Sequence, residues 1–183
     1  MNRQLLILDI DETLLFATEK PLAHLPDYVV GPYSVYKRPY VDDFLQAVAG
    51  VFDLAIWTSS GEDYAARVIR PLFPNSNVLK FVWSRDRCTR RFNHESQEDY
   101  WVKDLKKAVR AGFPIEQILV VDDSPEKLQR HYGNHVRVSP FTGGVHDKEL
   151  LQLVPFLRYM STVQNVRVIE KRNWRSFSAP ESA

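Results

Sequence analysis

The chain holds one cysteine, Cys88, among 183 residues. An intramolecular disulfide is therefore excluded. No Cys or His cluster surrounds it, and His94, His131, His135 and His146 show no metal-ligand spacing. Both facts argue against a structural zinc site. A lone thiol fits a reducing compartment, so a cytoplasmic location is expected, or a nuclear one if the source is eukaryotic. Long hydrophobic runs are also missing. None reaches membrane-spanning length, and the first is cut by Asp9, too early for a secretory signal. Charge of one sign is missing as well. A net charge of +1 gives no general attraction to nucleic acid or to a membrane surface. There is no internal repeat and no low-complexity segment.

What is present is an ordinary globular composition, 44% hydrophobic and 26% charged, at a length that suits one domain. A single domain over residues 1–170 is expected. Residues 171–183 form a basic tail with Lys171, Arg172 and Arg175, expected to fray.

The most informative stretch is Leu5-Leu6-Ile7-Leu8-Asp9-Ile10-Asp11-Glu12-Thr13. Four aliphatic residues read as a buried parallel strand. Asp9 at its end is no core residue, because an unpaired buried charge is costly. Two carboxylates two residues apart suit a divalent cation, with one as nucleophile and the other as proton donor. A merely acidic surface turn is the other reading of this stretch taken alone.

Residues 14–37 form a connector in which Tyr28-Val29-Val30 and Tyr33-Ser34-Val35-Tyr36 read as a small hairpin or flap. Pro39 opens a helix with Val41, Phe44, Leu45 and Val48 at helical spacing, ended by Gly50. Asp53-Leu54-Ala55-Ile56-Trp57 reads as a second core strand, followed by Thr58-Ser59-Ser60-Gly61 and a helix through Tyr64, Ala65, Val68 and Ile69. Phe81-Val82-Trp83 is a short third strand. Residues 84–100 read as a long polar loop, with Arg85, Arg87, Arg90 and Arg91. Lys103 is expected to open an amphipathic helix through Leu105, Ala108 and Val109. Ile118-Leu119-Val120-Val121 is a fourth core strand running into Asp122-Asp123-Ser124-Pro125, where Ser124 and Pro125 suit the start of a helix. A short strand over residues 135–138 and a helix over residues 147–160 complete the pattern.

Strands alternating with helices give an α/β class with a parallel sheet. Ligands of such sheets lie beyond the carboxyl ends of the strands. Asp9, Thr58 and Asp122 each follow a strand and should converge. Each later element has a plainer reading: Thr58-Ser59 as a helix cap, Lys103 as part of a solvated face with Lys106, Lys107 and Arg110, and Asp122-Asp123 as an acidic helix start.

The order D-x-D-x-T, Thr, Lys, Asp-Asp resembles the haloacid dehalogenase (HAD) superfamily of aspartate-nucleophile phosphatases. A closer resemblance is to the FCP/SCP-type, NLI-interacting-factor-like phosphatases, which include the carboxyl-terminal-domain phosphatases of RNA polymerase II. It rests on Lys37-Arg38-Pro39, Val41-Asp42-Asp43-Phe44-Leu45, Trp57-Thr58-Ser59-Ser60 with Tyr64-Ala65, Tyr100-Trp101-Val102-Lys103-Asp104-Leu105 and Val121-Asp122-Asp123-Ser124-Pro125. The family often has Asp-Asn where this chain has Asp122-Asp123, lacks the intervening Trp101, and has a shorter, less basic segment before Lys103.

The resemblance implies a HAD-like, Rossmannoid three-layer fold with a flap insert at residues 14–37. It implies a Mg²⁺-dependent phosphatase, with a phosphorylated protein or peptide as substrate, or alternatively a small phosphoester. Asp9 would be the nucleophile and Asp11 the general acid and base. Thr13 would hold Asp11. Thr58, the Ser59 amide and Lys103 would bind the phosphoryl group. Asp9, Asp11, Asp122 and Asp123 would form the metal site, with Asp123 the direct ligand of the acidic pair and Asp11 contributing its backbone carbonyl. A receiver domain has its acidic pair first, the reverse of the order here. A phosphomutase needs a larger cap than residues 14–37 provide. A non-catalytic phosphoprotein-binding module would have lost a catalytic Asp or the Lys. The arginines of residues 85–91 suit either an acidic or phosphorylated segment or plain solvation. Tyr28, Tyr33 and Tyr36 suit either a groove or packing.

Overall fold

Leu5–Leu8, the strand β1, is apolar at four successive positions, so both of its sides need cover. The structure is a computed structural model describing residues 3–95 and 97–178, and it buries all four. Leu6 and Leu8 enter one hydrophobic cluster, Leu5 and Ile7 another. Successive strand residues point to opposite faces, so β1 separates two cores. Each fully buried aliphatic side chain adds about 1.5–3 kcal/mol.

The chain continues through β2 (Leu15–Thr18), β3 (Tyr28–Val30), β4 (Tyr33–Lys37), α1 (Val41–Ala49), β5 (Asp53–Trp57) and α2 (Glu62–Ile69). Then come β6 (Leu79–Trp83), β7 (Thr89–Asn93), β8 (Glu98–Val102), α3 (Lys106–Arg110), β9 (Ile118–Asp122), β10 (His135–Arg137) and α4 (Glu149–Met160). Five strands form a parallel sheet in the order β10-β9-β1-β5-β6. The chain moves outward from β1 to β5 and β6, then returns to β9 and β10 on the other side. This reversal places the switch point at the carboxyl end of β1. Register puts Leu8 beside both Ile56 and Val121, so Asp9, Thr58 and Asp122 leave the sheet at one end.

Helices α1, α2 and α4 cover the face of Leu6 and Leu8, while Leu105, Ala108 and Leu128 cover the other. The result is the expected three-layer α/β arrangement. No helix among the described residues is long and apolar enough to cross a membrane.

The insert is larger than a hairpin. Strands β2, β4 and β3 form a three-stranded antiparallel sheet, and Tyr28 Oη donates to the Val68 carbonyl of α2 at 2.7 Å. Residues 84–100 are not a loop: β7 and β8 pair as a hairpin, from Thr89↔Val102 to Asn93↔Glu98. Most of its side chains reach solvent on both faces, so no apolar alternation marks it. Lys103 follows β8, and α3 begins only at Lys106, where Asp104 accepts the Lys106 amide at 3.1 Å. After β9 the chain makes two short 3₁₀ turns, Pro125–Leu128 and Tyr132–Asn134, instead of a longer helix.

The tail also differs from expectation. Residues 171–178 fold back onto the domain, while 179–183 lie outside the described residues. Lys171 is buried and donates to the Val166 and Ile169 carbonyls, at 2.5 and 2.6 Å. Trp174 is 2% exposed, and its indole N–H donates to the Arg137 carbonyl at 2.7 Å. Phe177 packs on Phe156 and Tyr159 of α4. Two aromatic anchors outweigh the basic composition that reads as disorder.

Trp174→Ala should therefore destabilise the fold by about 3–5 kcal/mol, the usual cost of emptying a buried aromatic site. Urea unfolding measures it. A loss under about 1 kcal/mol would mean that the segment contributes little packing.

Candidate active site

Asp9 ends β1 and stays in the ladder, its amide donating to the Val121 carbonyl at 3.0 Å. Ile10 is buried, and its carbonyl accepts from Thr13, Leu14 and Leu15, closing a tight turn. Within it Glu12 adopts φ 60°, a left-handed conformation that costs about 1–3 kcal/mol for a non-glycine residue. The Glu12 amide donates to Leu15, and its carbonyl accepts from Phe141 at 2.7 Å. Arg38 braces the turn. Its guanidinium is buried, donates to the Thr13 and Ser139 carbonyls, and forks onto Asp147 at 3.0 and 2.9 Å.

The Asp9 carboxylate is buried between two lysines. Lys103 Nζ lies 2.8 Å from Oδ1, and Lys127 Nζ donates to Oδ2 at 2.9 Å. Burial pushes the Asp9 pKa up, but Lys103 and Lys127 outweigh it and hold the carboxyl well below its ordinary range. Lys103 has no exposed side-chain surface and donates to Asp122 Oδ2 at 2.5 Å. Asp122 Oδ1 accepts the Ser124 amide at 2.9 Å. Burial, then the charge of Asp9, pushes Asp122 up.

Asp11 sits in a different environment. Ser60 Oγ donates to its Oδ2 at 2.7 Å and Tyr64 Oη to its Oδ1 at 2.5 Å. Burial raises its pKa, and these two hydroxyls offset that only partly. Thr58 accepts the Ser60 amide on its hydroxyl at 3.0 Å, which leaves the hydroxyl proton available to a ligand. The Ser59 carbonyl accepts Arg85 Nε at 2.7 Å, so the start of the 84–100 segment is tied to this loop. Arg85 and Arg87 also lie over the rings of Trp101 and Trp83.

One carboxylate oxygen from each of Asp9, Asp122 and Asp123 falls within 4.8 Å of the others, a group able to hold a metal ion. The donors are hard oxygens, with no Cys or His in the group. Asp9 Oδ1 is buried and accepts no hydrogen bond, the Lys103 ammonium 2.8 Å away being its charge partner. That is an oxygen suited to a cation. Asp122 accepts from Lys103 and the Ser124 amide on its two oxygens, and Asp123 accepts from Thr13 at 3.4 Å and from Ser124 Oγ at 3.0 Å.

The structure brings together Asp9, Lys103, Asp122 and Asp123. It does not bring the Asp11 carboxylate into the metal group, since that side chain turns to Ser60 and Tyr64. Thr13 does not hold Asp11 either: its buried hydroxyl lies 3.4 Å from Asp123 Oδ1. Tyr36 is packed in the core, not along a groove. Sequence reasoning missed Ser60, Tyr64 and Lys127 as members. The readable signal for Lys127 was its i,i+4 spacing from Asp123.

Residues 4–167 match the family described as NLI interacting factor-like phosphatase. A probable C-terminal domain small phosphatase of Dictyostelium discoideum is 34% identical over 178 residues, 92% of this chain and 55% of its own. The CTD small phosphatase-like protein 2 of the same organism is 34% identical over 169 residues, 88% of this chain but 28% of its own. The chain thus spans about half or less of the length of these relatives. Among solved structures, the fission yeast RNA polymerase II CTD phosphatase Fcp1 bound to beryllium fluoride superposes with a TM-score of 0.60 at 19% identity, covering 91% of this chain and 53% of that one. At that identity the likeness establishes the HAD-like fold. With its family match extending over the whole sheet and every residue of the charged cluster, the chain belongs to the NLI interacting factor-like phosphatases.

Proposed function

We propose that the protein is a Mg²⁺-dependent phosphatase that removes phosphate from serine or threonine of a phosphoprotein through an aspartyl phosphate on Asp9. One observation carries the reading. Asp9 and Asp11 lie two residues apart in opposite environments, one held ionised by lysines and the other pushed toward its protonated form. This is the division of labour that phosphoester cleavage needs.

Asp9 attacks phosphorus as the bond to the leaving oxygen breaks, and Asp11 gives that oxygen its proton. Water then attacks the aspartyl phosphate, Asp11 takes its proton back, and inorganic phosphate leaves. Lys103, the Thr58 hydroxyl and the Ser59 amide stabilise the phosphoryl oxygens. Asp9 and Asp123 would hold Mg²⁺, which when bound neutralises phosphoryl charge. A macromolecular substrate is supported by the insert, a three-stranded sheet without the helices of a closed cap, and by the names of the relatives. A reducing compartment, cytoplasm or nucleus, suits the single free cysteine.

Activity should vanish on exhaustive chelation and return with Mg²⁺. Calcium, which prefers more ligands and looser geometry, should bind and support little turnover. A phosphatase assay over phosphoserine, phosphothreonine and phosphotyrosine peptides, sugar phosphates and an aryl phosphate makes both comparisons. Full activity after chelation would remove the metal from the mechanism. A preference for sugar phosphates would remove the phosphoprotein.

Asp11→Asn should slow phosphoserine cleavage by about two to four orders of magnitude, the range of general acid catalysis. An activated aryl ester, whose leaving group hardly needs a proton, should lose less, and the aspartyl phosphate should accumulate. The raised pKa of Asp11 keeps its proton to higher pH than an ordinary Asp. The phosphoserine rate of the parent protein should then fall as pH rises through that pKa, and Asp11→Asn should lack this limb. Lys103→Ala should slow all substrates by similar factors. Single-turnover kinetics following leaving group and enzyme-bound phosphate test this. Equal losses for alkyl and aryl esters in Asp11→Asn, with no trapped intermediate, would leave Asp11 an orienting carboxylate.

A further inference from the structure

Lys127 shares with Lys103 the task of holding Asp9 ionised, and it also faces every member of the metal-binding group. Its Nζ is 2.9 Å from Asp9 Oδ2, 3.5 Å from Asp122 Oδ1 and 3.8 Å from Asp123 Oδ1. The one-turn helix Pro125–Leu128 folds the side chain back over the acidic pair. Its backbone carbonyl accepts the Lys103 amide at 2.8 Å, so two lysines on adjoining backbones clasp Asp9, one at each oxygen. The two differ in exposure. Lys103 is fully enclosed, whereas the Lys127 side chain is 16% exposed.

The charges in this cluster decide what Lys127 does. Three carboxylates and two ammonium groups leave one net negative charge. A divalent cation on the same carboxylates turns that into one net positive charge, which attracts a phosphate dianion. Take Lys127 away and the same count gives two negative charges before the metal and none after it. Lys127 therefore opposes the metal and favours the phosphoryl group. A Mg²⁺ ion bound by Asp9 and Asp123 would draw on the same carboxylate charge that holds the ammonium, and would repel it. Four methylenes let the ammonium move toward the rim, where a phosphoryl group on Asp9 presents its oxygens.

We propose that Lys127 is a competing cation of the metal site and a phosphate-binding group of the substrate pocket, lowering metal affinity while raising phosphoryl affinity. The proposal rests on the reading of Asp9 as the phosphoryl acceptor.

The test is calorimetry on the full chain and on Lys127→Met, which keeps the stem and removes the charge. Mg²⁺ is titrated first, then inorganic phosphate at saturating Mg²⁺. Lys127→Met should bind Mg²⁺ at least about tenfold more tightly and phosphate at least about tenfold more weakly, the lower bound for one charge acting on a doubly charged ligand at a few ångströms. Lys106→Met, on the exposed face of α3, should change neither by more than about twofold. A merely structural Lys127 would weaken both ligands together. Unchanged or weaker Mg²⁺ binding in Lys127→Met, with normal binding by the parent protein, overturns the proposal alone. Absence of Mg²⁺ binding by the parent protein overturns the proposed function as well. A second measurement needs no variant. Acylation of Lys127 by an amine-reactive ester, followed by mass spectrometry, should accelerate several-fold in the parent protein at saturating Mg²⁺. No acceleration would show that the ammonium does not yield to the metal.

Discussion

Asp9 is 1% exposed, and a carboxylate so deeply buried stays ionised only where positive charge is fixed beside it. Much of the topology serves to deliver that charge. The sheet register places Asp122 next to Asp9, the exit of β8 brings Lys103 between them, and the turn after β9 returns Lys127 from the other side. An ion pair near 3 Å is worth about 5 kcal/mol at an effective dielectric of about 20. Desolvation costs several kcal/mol per ion. The cluster is therefore weak evidence for stability. Its consequence is chemical: an anionic Asp9 with one oxygen short of a hydrogen-bond donor.

Asp11 poses the opposite requirement at almost the same place. A proton donor within reach of the lysines would ionise and be lost as an acid. The chain avoids this through the buried Ile10 and the tight turn behind it, which present Asp11 to the start of α2. There it meets neutral hydroxyls, Ser60 and Tyr64, and no cation at hydrogen-bond distance among the described residues. Arg38 braces the turn that carries Asp11. It anchors the Thr13 end of the turn to Ser139 and Asp147 with a buried guanidinium. Asp147 is held below the ordinary range, burial being outweighed by Arg38 and the Glu149 amide. The contribution of this brace is present at neutral pH and is lost as pH falls through the folded pKa.

The α/β class and the strands β1, β5 and β9 were legible because strands covered on both faces are continuous apolar runs. The residues that follow them were legible for the same reason: a polar residue directly after such a run marks the sheet end where ligands bind. The hairpin β7-β8 was not legible, because its strands are largely exposed and leave no period to read. That error displaced the start of α3, since a loop ending at Tyr100 makes Lys103 look like the first residue of a helix. Thr13 was misread through the opposite kind of ambiguity. Its hydroxyl has two carboxylates to choose from, and only the tight turn at Ile10 directs it to Asp123. The 171–178 segment shows the limit of composition. Its basic residues outnumber its aromatics, but Trp174 and Phe177 decide where it goes.

Two elements flank the candidate site: the insert, whose β3-β4 hairpin was legible but not its third strand β2, and the segment leading into β7, which was not legible. The three-stranded insert meets α2 through Tyr28 and through Tyr33, whose ring lies edge-on to Tyr64 at 5.6 Å between centroids. The segment leading into β7 meets the Thr58–Ser60 loop through Arg85, whose amide donates to the Ser60 carbonyl and whose side chain donates to Ser59. One flanking element therefore touches a hydroxyl that holds Asp11, and the other touches the loop that would hold the phosphoryl group. Strand-end residues are constrained by the sheet, and their chemistry is fixed by position. The flanking elements carry no such constraint, which is why their sequences show no simple period. Whatever they contact is one residue removed from Asp11 on one side and from Thr58 on the other. The flanking elements thus meet the candidate site at Tyr64 and at Ser59-Ser60.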